Sequence, residues 1–369
     1  MIPLSKPIIE KEEIESVVKV LKSGVLSLGP KVEEFEKKFS IAIGTKYAVA
    51  VNSGTSGLHL ALKSLQIQEG DEVITTPFSF VASANCALYE RAKPVFVDVE
   101  EDTFNINPNL IEEKINQETK FLLPVHVFGQ SCDMEPIIKF GKKYDLKIVE
   151  DACESLMAKY KGKNTGTFGN AAVFAFYGNK QITTAEGGMI VTDDEKVNTL
   201  CQSYKNQGRS INRQWLTHER LGYNYRMSEL SAALGVEQLK KLPKFIKYRD
   251  YYSRLYSEEL EKIENIAIPK VRKSNKHSWF VFPIRVQEKI RDRIIQELSK
   301  YKIESKAYFY PCIHLQPFYI DKYGYKYGDF PVAEKLSKTT IVLPFYNGIK
   351  EKEIKYVAKS LKTILRRYS

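Results

Sequence analysis

The stretch KYAVAVNSGTSGLHLALKSL, residues 46–65, decides the fold class. Residues 46–51 end in a short apolar run typical of a buried strand, and the residues from 55 onward carry apolar positions at helical spacing. The Gly/Ser/Thr residues between the two segments are typical of a turn. A strand followed at once by a helix predicts one unit of an α/β fold.

The same alternation continues through residue 151. Strands are predicted at 72–75, 95–98, 120–125 and 146–151, and helices near 79–90, 108–115 and 133–144. This order favours right-handed crossovers and a mostly parallel sheet covered on both faces. Ligands of such sheets bind beyond the carboxyl ends of the strands. That rule draws attention to Asn52, Pro77 and Asp151, each just after a predicted strand.

Two flanking regions complete the predicted architecture. Residues 10–22 form an amphipathic helical pattern, with an apolar row of Ile14, Val17, Val18 and Leu21. From about residue 241 a long polar helix leads into a shorter α+β segment, whose last helix has an apolar row of Ile354, Val357, Leu361 and Ile364. We therefore predict a large domain at 1–240 and a smaller C-terminal domain at 241–369.

Composition excludes several classes of protein. No apolar run approaches the roughly 20 residues of a membrane-spanning helix, and the start of the chain does not resemble a secretory signal. The five cysteines are scattered, which is typical of free thiols in a reducing compartment. We expect a cytoplasmic protein without a membrane partner. Histidine and cysteine spacing predicts no metal site.

The net charge of +11 has two interpretations. A nucleic-acid-binding regulator would be basic, and its affinity would fall steeply with salt. A lysine-rich solvated surface is favoured instead, because lysines alternate with glutamates and no basic block of five or six residues occurs. We expect no nucleic-acid partner.

The first chemical motif is the turn NSGTSG at residues 52–57. Free backbone N–H groups and the positive end of a helix dipole make such a turn an anion site, to which Thr55 and Ser56 add hydroxyl donors. An ordinary capped helix would have the same sequence, since serine and threonine are common N-caps.

The second motif is TTPFSFVASAN, residues 75–85, again after a strand. Phe78 and Phe80 flank Ser79, so they would share a face on an extended turn, where a ring could stack on a flat heteroaromatic ligand. Burial of both rings in the core is the simpler interpretation.

The third motif, KIVEDACES at 147–155, brings Glu150 and Asp151 to the carboxyl edge of the sheet. A buried carboxylate needs a cation or donor as partner, and a protonated pyridine nitrogen is one. Glu154 follows three residues on and can lie on the same side of the turn. A surface acidic turn is the alternative interpretation.

The fourth motif is FAFYGNKQITTAEGGMIVT, residues 174–192. An apolar strand ends just before Lys180, and Gly187 and Gly188 precede another strand. Loss of solvation between apolar strands favours the nucleophilic free amine that a Schiff base requires. Taken alone, the motif is better interpreted as containing one ordinary lysine among many.

Together the four motifs offer an anion cradle, a stacking ring, a carboxylate for a pyridine nitrogen and an amine nucleophile. They occur in chain order at successive strand ends. Pyridoxal phosphate (PLP) needs all four, so we predict a PLP enzyme.

The chain also resembles the DegT/DnrJ/EryC1/StrS sugar aminotransferases, which implies the fold-type I, aspartate-aminotransferase-like architecture. The resemblance covers nearly the whole chain. It rests on LGPKVEEFEKKF, NSGTSGLHLAL, GDEVITTPFSFVASAN, PVFVDV, LPVHVFGQSCDM, IVEDACES, GNKQITTAEGGMIVT, GYNYRMSELSAALG and SKAYFYPCIHLQPFY.

The resemblance implies roles for individual residues. Lys180 matches the residue that holds PLP and moves a proton, Asp151 the partner of the pyridinium nitrogen, and Phe80 the stacking ring. Glu154 matches a further cofactor-binding position. The residues that match the phosphate turn are Gly54, Thr55 and Ser56.

Other matches concern the partner subunit and the substrate. Asn224 matches an asparagine that reaches the partner's cofactor phosphate in relatives, which implies a homodimer with shared active sites. His314 and Tyr310 lie in a loop that resembles a substrate-facing segment, and Arg226 is a candidate for binding the substrate diphosphate.

Two positions depart from the family pattern. Ala175 replaces a serine that donates to the phosphate in many relatives, which leaves one donor missing. Glu154 replaces a common glutamine, and with GNK and YNYRM it makes the chain most similar to GDP-perosamine synthases.

The resemblance thus implies transfer of an amino group from L-glutamate to a nucleotide-linked 4-keto-6-deoxyhexose, for cell-surface polysaccharide or O-antigen synthesis. A UDP- or dTDP-linked 3-keto or 4-keto sugar is the alternative acceptor. Lys180 argues against a PLP-dependent sugar dehydratase, which carries histidine there. A Rossmann dehydrogenase would have GxGxxG after the first strand, where this chain has NSGTSG.

Overall fold

The computed structural model describes residues 1–210 and 216–368. In these ranges the α-helices are α1 (Lys11–Ser23), α2 (Pro30–Ile43), α3 (Gly54–Ser64), α4 (Ala82–Leu88), α5 (Met134–Lys143), α6 (Glu195–Tyr204), α7 (Glu229–Leu260), α8 (Glu288–Lys300), α9 (Pro317–Tyr323), α10 (Pro331–Thr339) and α11 (Glu351–Leu365). The strands are β1 (Tyr47–Val51), β2 (Glu72–Thr75), β3 (Lys93–Phe96), β4 (Thr119–Leu122), β5 (Lys147–Asp151), β6 (Lys159–Tyr160), β7 (Lys163–Asn164), β8 (Ala171–Ala175), β9 (Gly188–Thr192), β10 (Asn275–Lys276), β11 (Phe282–Arg285) and β12 (Thr340–Leu343). Among the described residues, no helix has both the length and the apolar composition needed to cross a bilayer.

Seven of these strands form a central sheet in the order β1–β9–β8–β5–β4–β2–β3. The pairs β2–β3, β2–β4, β4–β5 and β5–β8 are parallel, and β9 runs antiparallel to both β1 and β8. Parallel pairs need crossover connections, which place helices on the faces of the sheet. The predicted α/β fold with a mostly parallel sheet is confirmed.

Strand β1 shows how the two faces of the sheet are covered. Val49 and Val51 pack in one apolar cluster with α3, whereas Ala48 and Ala50 pack in another with α2 and α7. Successive side chains of a strand point to opposite faces. All four are buried, as expected of a strand covered on both sides.

Helix α1 turns its polar row inward. Ile14 and Leu21 are 56% and 53% exposed, whereas Glu13 is fully buried. Glu13 accepts hydrogen bonds from Gln238 at 2.9 Å and from Lys241 at 2.8 Å, both on α7. These partners satisfy the buried carboxylate, so the polar row can pack inward.

The C-terminal part has its own apolar core around the antiparallel pair β11–β12. The apolar row predicted for the last helix is fully buried in that core: Ile354, Val357, Leu361 and Ile364. The predicted boundary between 1–240 and 241–369 falls inside the continuous helix α7, so the division stays a prediction. The start of the chain also joins the C-terminal part, where Ile2 pairs with Ile303.

Candidate active site

A cavity of about 1330 Å³ lies at the carboxyl edge of the central sheet, where β1, β5 and β8 end. Parallel strands present their carboxyl ends at one edge, so residues far apart in the chain meet there. The sequence-predicted residues that line the cavity are Gly54, Thr55, Phe80, Asp151, Glu154, Lys180 and Tyr310. The predicted residues that lie elsewhere are Ser56, Asn224, Arg226 and His314.

The N-terminus of α3 forms one wall of the cavity. Ser53 is the N-cap, and its Oγ accepts from the backbone N–H of Ser56 at 3.1 Å. The Ser56 hydroxyl donates to Asn52 Oδ1 at 2.6 Å, so it is used within the turn. The first N–H groups of a helix lack intrahelical acceptors and carry the positive end of the dipole. This wall is therefore suited to an anion, with Thr55 on its surface.

Two glycines allow close packing behind this wall. A Cβ on Gly54 would lie 2.9 Å from Ala175 Cβ and 3.0 Å from Cys153 Sγ. A Cβ on Gly188 would lie 2.5 Å from the carbonyl oxygen of Ser53. Side chains at these positions would push the start of α3 away from β8 and β9. Ala175 lines the cavity here with a methyl group, and it has no hydroxyl of the kind that a serine would offer to an anion.

Asp151 is the last residue of β5 and is 4% exposed. Its Oδ2 accepts from Ser83 Oγ at 2.7 Å, and its Oδ1 accepts from the backbone N–H of Cys153 at 3.2 Å. Ser83 Oγ also lies 2.8 Å from Ser79 Oγ. These contacts orient the carboxylate and offset part of the cost of burying it. Ser83 was not predicted from the sequence, although it lies in the second motif, four residues after Ser79.

The neighbouring Glu150 serves the protein interior. Its carboxylate accepts from backbone N–H groups in the 166–169 loop at 2.7–2.9 Å and lies 3.0 Å from His126 Nε2. Because side chains alternate along a strand, Glu150 and Asp151 face opposite ways. The first fixes a loop, and the second borders the cavity.

Lys180 lies in the turn after β8 with its side chain 13% exposed. Its backbone N–H donates to the carbonyl of Tyr177 at 2.9 Å. Its Nζ lies 3.6 Å from Glu154 Oε1 and 4.0 Å from the centroid of the Phe280 ring. A carboxylate and an aromatic face therefore both border the amine. The sequence carried no local signal for Phe280, which comes from the C-terminal part of the chain.

Glu154 is the carboxylic acid that borders the Lys180 amine. Its Oε2 accepts from the backbone N–H of Phe128 at 2.9 Å. Burial raises the pKa of Glu154, and the attraction of Lys180 and the Phe128 hydrogen bond offset the rise only in part. The cavity thus holds an acid that keeps its proton to higher pH than an ordinary glutamate.

Phe78 and Phe80 have opposite environments. Phe78 is fully buried against Phe104 and Phe128, whereas Phe80 is 63% exposed and lines the cavity. The expectation that the two rings share a face is wrong. The backbone N–H of Phe78 donates to Thr76 Oγ1 at 3.1 Å, so the chain turns here and does not continue extended.

Asn224 and Arg226 lie outside the cavity of their own chain. Asn224 is exposed and forms a β-bridge with Asn206. Arg226 Nη1 donates to Asn206 Oδ1 at 2.9 Å and to Gln207 Oε1 at 2.7 Å. Two amide oxygens therefore hold the guanidinium of Arg226 outside this cavity, and its contact with a substrate stays a prediction. The contact predicted for Asn224 involves a partner subunit and stays a prediction.

The two candidates from the C-terminal loop, Tyr310 and His314, lie in different environments. Tyr310 is 55% exposed, lines the cavity and stacks on the Arg291 guanidinium, 4.4 Å from its ring centroid. His314 is fully buried with its Nε2 3.0 Å from Glu334 Oε1, and burial lowers its pKa. His314 does not line the cavity, and its contact with the substrate stays a prediction. A buried carboxylate holds the imidazole inside.

The outer part of the cavity is aromatic. Tyr177, Tyr310 and Phe318 line it and are each more than half exposed. Lys322 lines the same region, with its Nζ 5.9 Å from the Phe318 ring centroid. Exposed ring faces beside a cation suit a ligand that has flat rings and phosphate groups. Of these residues, Tyr310 was predicted from the sequence and the others were not.

Comparisons with known proteins agree over nearly the full length. The sequence model described as the DegT/DnrJ/EryC1/StrS aminotransferase family matches residues 7–362. The spore coat polysaccharide biosynthesis protein SpsC of Bacillus subtilis is 38% identical, over 99% of this chain and 97% of that protein. The GDP-perosamine synthase of Escherichia coli O157:H7 is 36% identical, over 98% and 97%. The putative sugar aminotransferase Spr1654 of Streptococcus pneumoniae, solved in its PMP form, is 28% identical and superimposes over 100% of each chain with a TM-score of 0.95.

Proposed function

Because the chain belongs to the DegT/DnrJ/EryC1/StrS aminotransferase family, it is a PLP-dependent sugar aminotransferase, and we propose that L-glutamate donates the amino group to a nucleotide-linked 4-keto-6-deoxyhexose. One observation supports the proposal above the others. A single cavity is bordered by the amine of Lys180, the carboxylate of Asp151 and the N-terminus of α3. The cytoplasmic location stays a prediction.

The residues around the cavity fit PLP by their chemistry. Backbone N–H groups at a helix start suit a phosphate, a buried carboxylate suits a protonated ring nitrogen, and an amine suits an aldehyde. The residues that we propose for these contacts and for ring stacking are Gly54, Thr55, Phe80, Asp151 and Lys180. Ala175 offers no hydroxyl to the phosphate, so more of the binding would depend on the backbone of α3.

PLP, when bound, supplies the electron sink that makes the C–H bond beside the amino group acidic. We propose that Lys180 Nζ removes that proton from the amino donor and later delivers a proton to the sugar carbon that gains nitrogen. Glu154 Oε1, 3.6 Å away, borders the amine and would limit its movement. Ser83 and Cys153 would hold the Asp151 carboxylate in one orientation throughout.

The acceptor that we propose is the GDP-linked sugar of a GDP-perosamine synthase, for cell-surface polysaccharide or O-antigen. Glu154 at a position where many relatives carry glutamine supports it, as does the 36% identity to the Escherichia coli GDP-perosamine synthase. The 38% identity to SpsC, a protein named for spore coat polysaccharide biosynthesis, supports the alternative of another nucleotide-linked keto sugar.

A homodimer is part of the proposal. Asn224 is exposed and lies outside the cavity of its own chain. In a two-fold dimer the same residue of the other copy could reach each phosphate site. Sedimentation of the purified protein tests this point, and a monomer that is fully active would contradict it.

The function is tested by supplying the purified enzyme with L-glutamate, PLP and one keto sugar at a time. We expect an amino sugar by mass spectrometry from GDP-4-keto-6-deoxymannose and little from UDP- or dTDP-linked keto sugars. Lys180→Ala should lose the visible absorbance of lysine-bound PLP and form no product. Lys180→Arg, which keeps the charge, should behave like Lys180→Ala. A wild type that takes up no PLP would contradict the whole proposal.

A further inference from the structure

Arg249 of α7 is a buried charge that the mechanism above does not use. Its side chain is 2% exposed. Its Nε donates to Asn347 Oδ1 at 2.7 Å, and its Nη1 donates to the carbonyls of Trp279 and Phe280 at 2.8 and 3.0 Å. These three acceptors are neutral, and burial lowers the pKa of Arg249 to about 9. A guanidinium buried among neutral oxygens is a costly way to stabilise a fold, which favours a positional role.

One connection from Arg249 to the cavity runs through Phe280. The carbonyl of Phe280 accepts from Arg249, and its ring lies 4.0 Å from Lys180 Nζ. Trp279 has a positive φ of 54°, and in this left-handed turn both carbonyls reach the same Nη1 group. The guanidinium therefore holds the backbone that carries the ring.

A second connection runs through Asn347 to the turn that contains Lys180. Asn347 Nδ2 donates at 3.0 Å to the carbonyl of Gln181, the residue directly after Lys180. Gln181 Nε2 in turn donates to the carbonyl of Glu154 at 2.7 Å. Asn347 and Gln181 are 4% and 1% exposed, so water does not readily replace these bonds.

We propose that Arg249 is a positioning residue for Lys180: it fixes the Phe280 ring beside the amine and, through Asn347, the peptide that follows Lys180. The inference rests on the proposed role of Lys180 and deepens it. Arg249 touches neither PLP nor substrate in this account. Arg249 acts by fixing the position of the Lys180 amine. Displacement of a reactive group can lower the reaction rate by roughly 10²-fold.

The test uses three variants and a matched control. Arg249→Met removes the charge at similar length, and Arg249→Lys keeps a charge with fewer directed donors. Asn347→Asp keeps an acceptor for Arg249 and gives it a counter-ion, but removes the donor to Gln181. Tyr256→Phe is the control, since it removes a fully buried hydrogen bond from the same core, to the carbonyl of Pro344, without touching the path to Lys180.

The readout is the reaction of cofactor-free protein with PLP, followed by its visible absorbance. Borohydride trapping and peptide mass spectrometry then identify the lysine, and the melting temperature is recorded alongside. We expect Asn347→Asp and Tyr256→Phe to have similar melting temperatures. The rate at which PLP reacts with Lys180 should be about 10- to 100-fold lower in Asn347→Asp than in Tyr256→Phe. The rate for Arg249→Met should fall by at least the same factor, and the rate for Arg249→Lys should lie between those of Arg249→Met and the wild type.

The outcomes separate this inference from the proposed function. If Asn347→Asp and Arg249→Lys react with PLP as fast as Tyr256→Phe, Arg249 is structural only and the inference is overturned. These two variants decide the question even where Arg249→Met does not fold. If PLP is not trapped on Lys180 in the wild type, the proposed function fails instead.

Discussion

The floor and the mouth of the cavity are built differently. The floor, which we define as Asp151, Glu154 and Lys180, has side chains that are at most 13% exposed and contact fixed partners. The mouth, which we define as Tyr177, Tyr310 and Phe318, has side chains that are 54–55% exposed. Asp151 ends β5, and Glu154 and Lys180 lie in turns after β5 and β8. Tyr177 also follows β8, whereas Tyr310 and Phe318 come from the C-terminal part.

The difference follows from the cost of burying polar groups. A buried carboxylate or amine must find partners, and those partners also fix its direction. Exposed aromatic rings need no hydrogen-bond partners, so they can change orientation when a ligand binds. We therefore expect changes in the floor to affect both half-reactions, and changes in the mouth to affect only the half-reaction with the sugar.

Among variants that keep Lys180, the largest effect is expected from Asp151→Asn. An amide cannot balance a protonated ring nitrogen, so turnover should fall about 10²- to 10³-fold, the range for losing one preorganised electrostatic group. The loss should appear in stopped-flow measurements of both the glutamate and the sugar half-reaction. A loss confined to the sugar half-reaction would contradict the division into floor and mouth.

Asp98→Asn is the matched control for that experiment. Asp98 is also a buried carboxylate just beyond a strand of the same sheet, but it accepts from the backbone N–H groups of Val332 and Ala333 at the start of α10. Its amide variant should lower the melting temperature and leave the half-reaction rates of the folded protein unchanged.

Ser83→Ala should have the next largest effect. It removes the hydroxyl that donates to Asp151 Oδ2 at 2.7 Å, and a hydrogen bond to a charged group contributes about 1.5–3 kcal/mol. We expect both half-reactions to slow by about 10-fold, a cost of roughly 1.4 kcal/mol. Ser83→Thr, which keeps the hydroxyl, should recover most of the rate. An equal loss in both variants would indicate a packing effect.

A smaller effect, limited to the sugar, is expected at the mouth. Tyr310→Ala should raise the KM for the keto sugar about 3- to 10-fold, since one aromatic contact contributes about 0.5–1.5 kcal/mol. The half-reaction with glutamate should not change, and Tyr310→Phe should resemble the wild type. Equal changes in both half-reactions would remove the distinction between the two regions.

Much of the floor could be predicted because its signals are local. Asp151 ends the apolar strand β5 and Lys180 lies in the turn after β8, and parallel strands end at a common edge. The same reasoning failed where a local pattern has more than one solution. A helix was predicted near 108–115, but the chain forms two 3₁₀ turns, Pro108–Leu110 and Glu112–Lys114. The side chain of Asn107 accepts from the backbone N–H of Asn109 and thus competes with helical hydrogen bonds.

The rest depended on contacts between distant parts of the chain. Phe280 meets Lys180 only because the C-terminal part folds back onto the sheet. His314 was expected at the substrate, but Glu334 holds it in the interior. The inward polar row of α1 likewise reflects partners on α7. Periodicity shows which residues share a face, but not what covers that face.

The smallest predicted effect is that of Glu154→Gln, a floor variant, on the pH dependence of stability. Burial raises the pKa of Glu154 above its ordinary value of 4.5. The folded state therefore binds this proton more tightly than the unfolded state. The stability that results is fully present below pH 4.5 and is lost as the pH rises through the folded-state pKa. Glu154→Gln removes the titration, so the cofactor-free variant should match the wild type near pH 4 and melt about 1–3 °C higher by pH 8.

Glu13→Gln gives the opposite sign and is the matched control. Burial alone would raise the pKa of Glu13, but hydrogen bonds from Lys241 and the Glu10 backbone outweigh it and lower the pKa. That stability is present above pH 4.5 and is lost as the pH falls, so Glu13→Gln should cost most at neutral pH. Melting curves across pH 4–8 would show the two differences from wild type diverging. If Glu154→Gln instead lost stability relative to wild type as the pH rose, attraction to Lys180 would outweigh burial, and the pKa of Glu154 would be lowered.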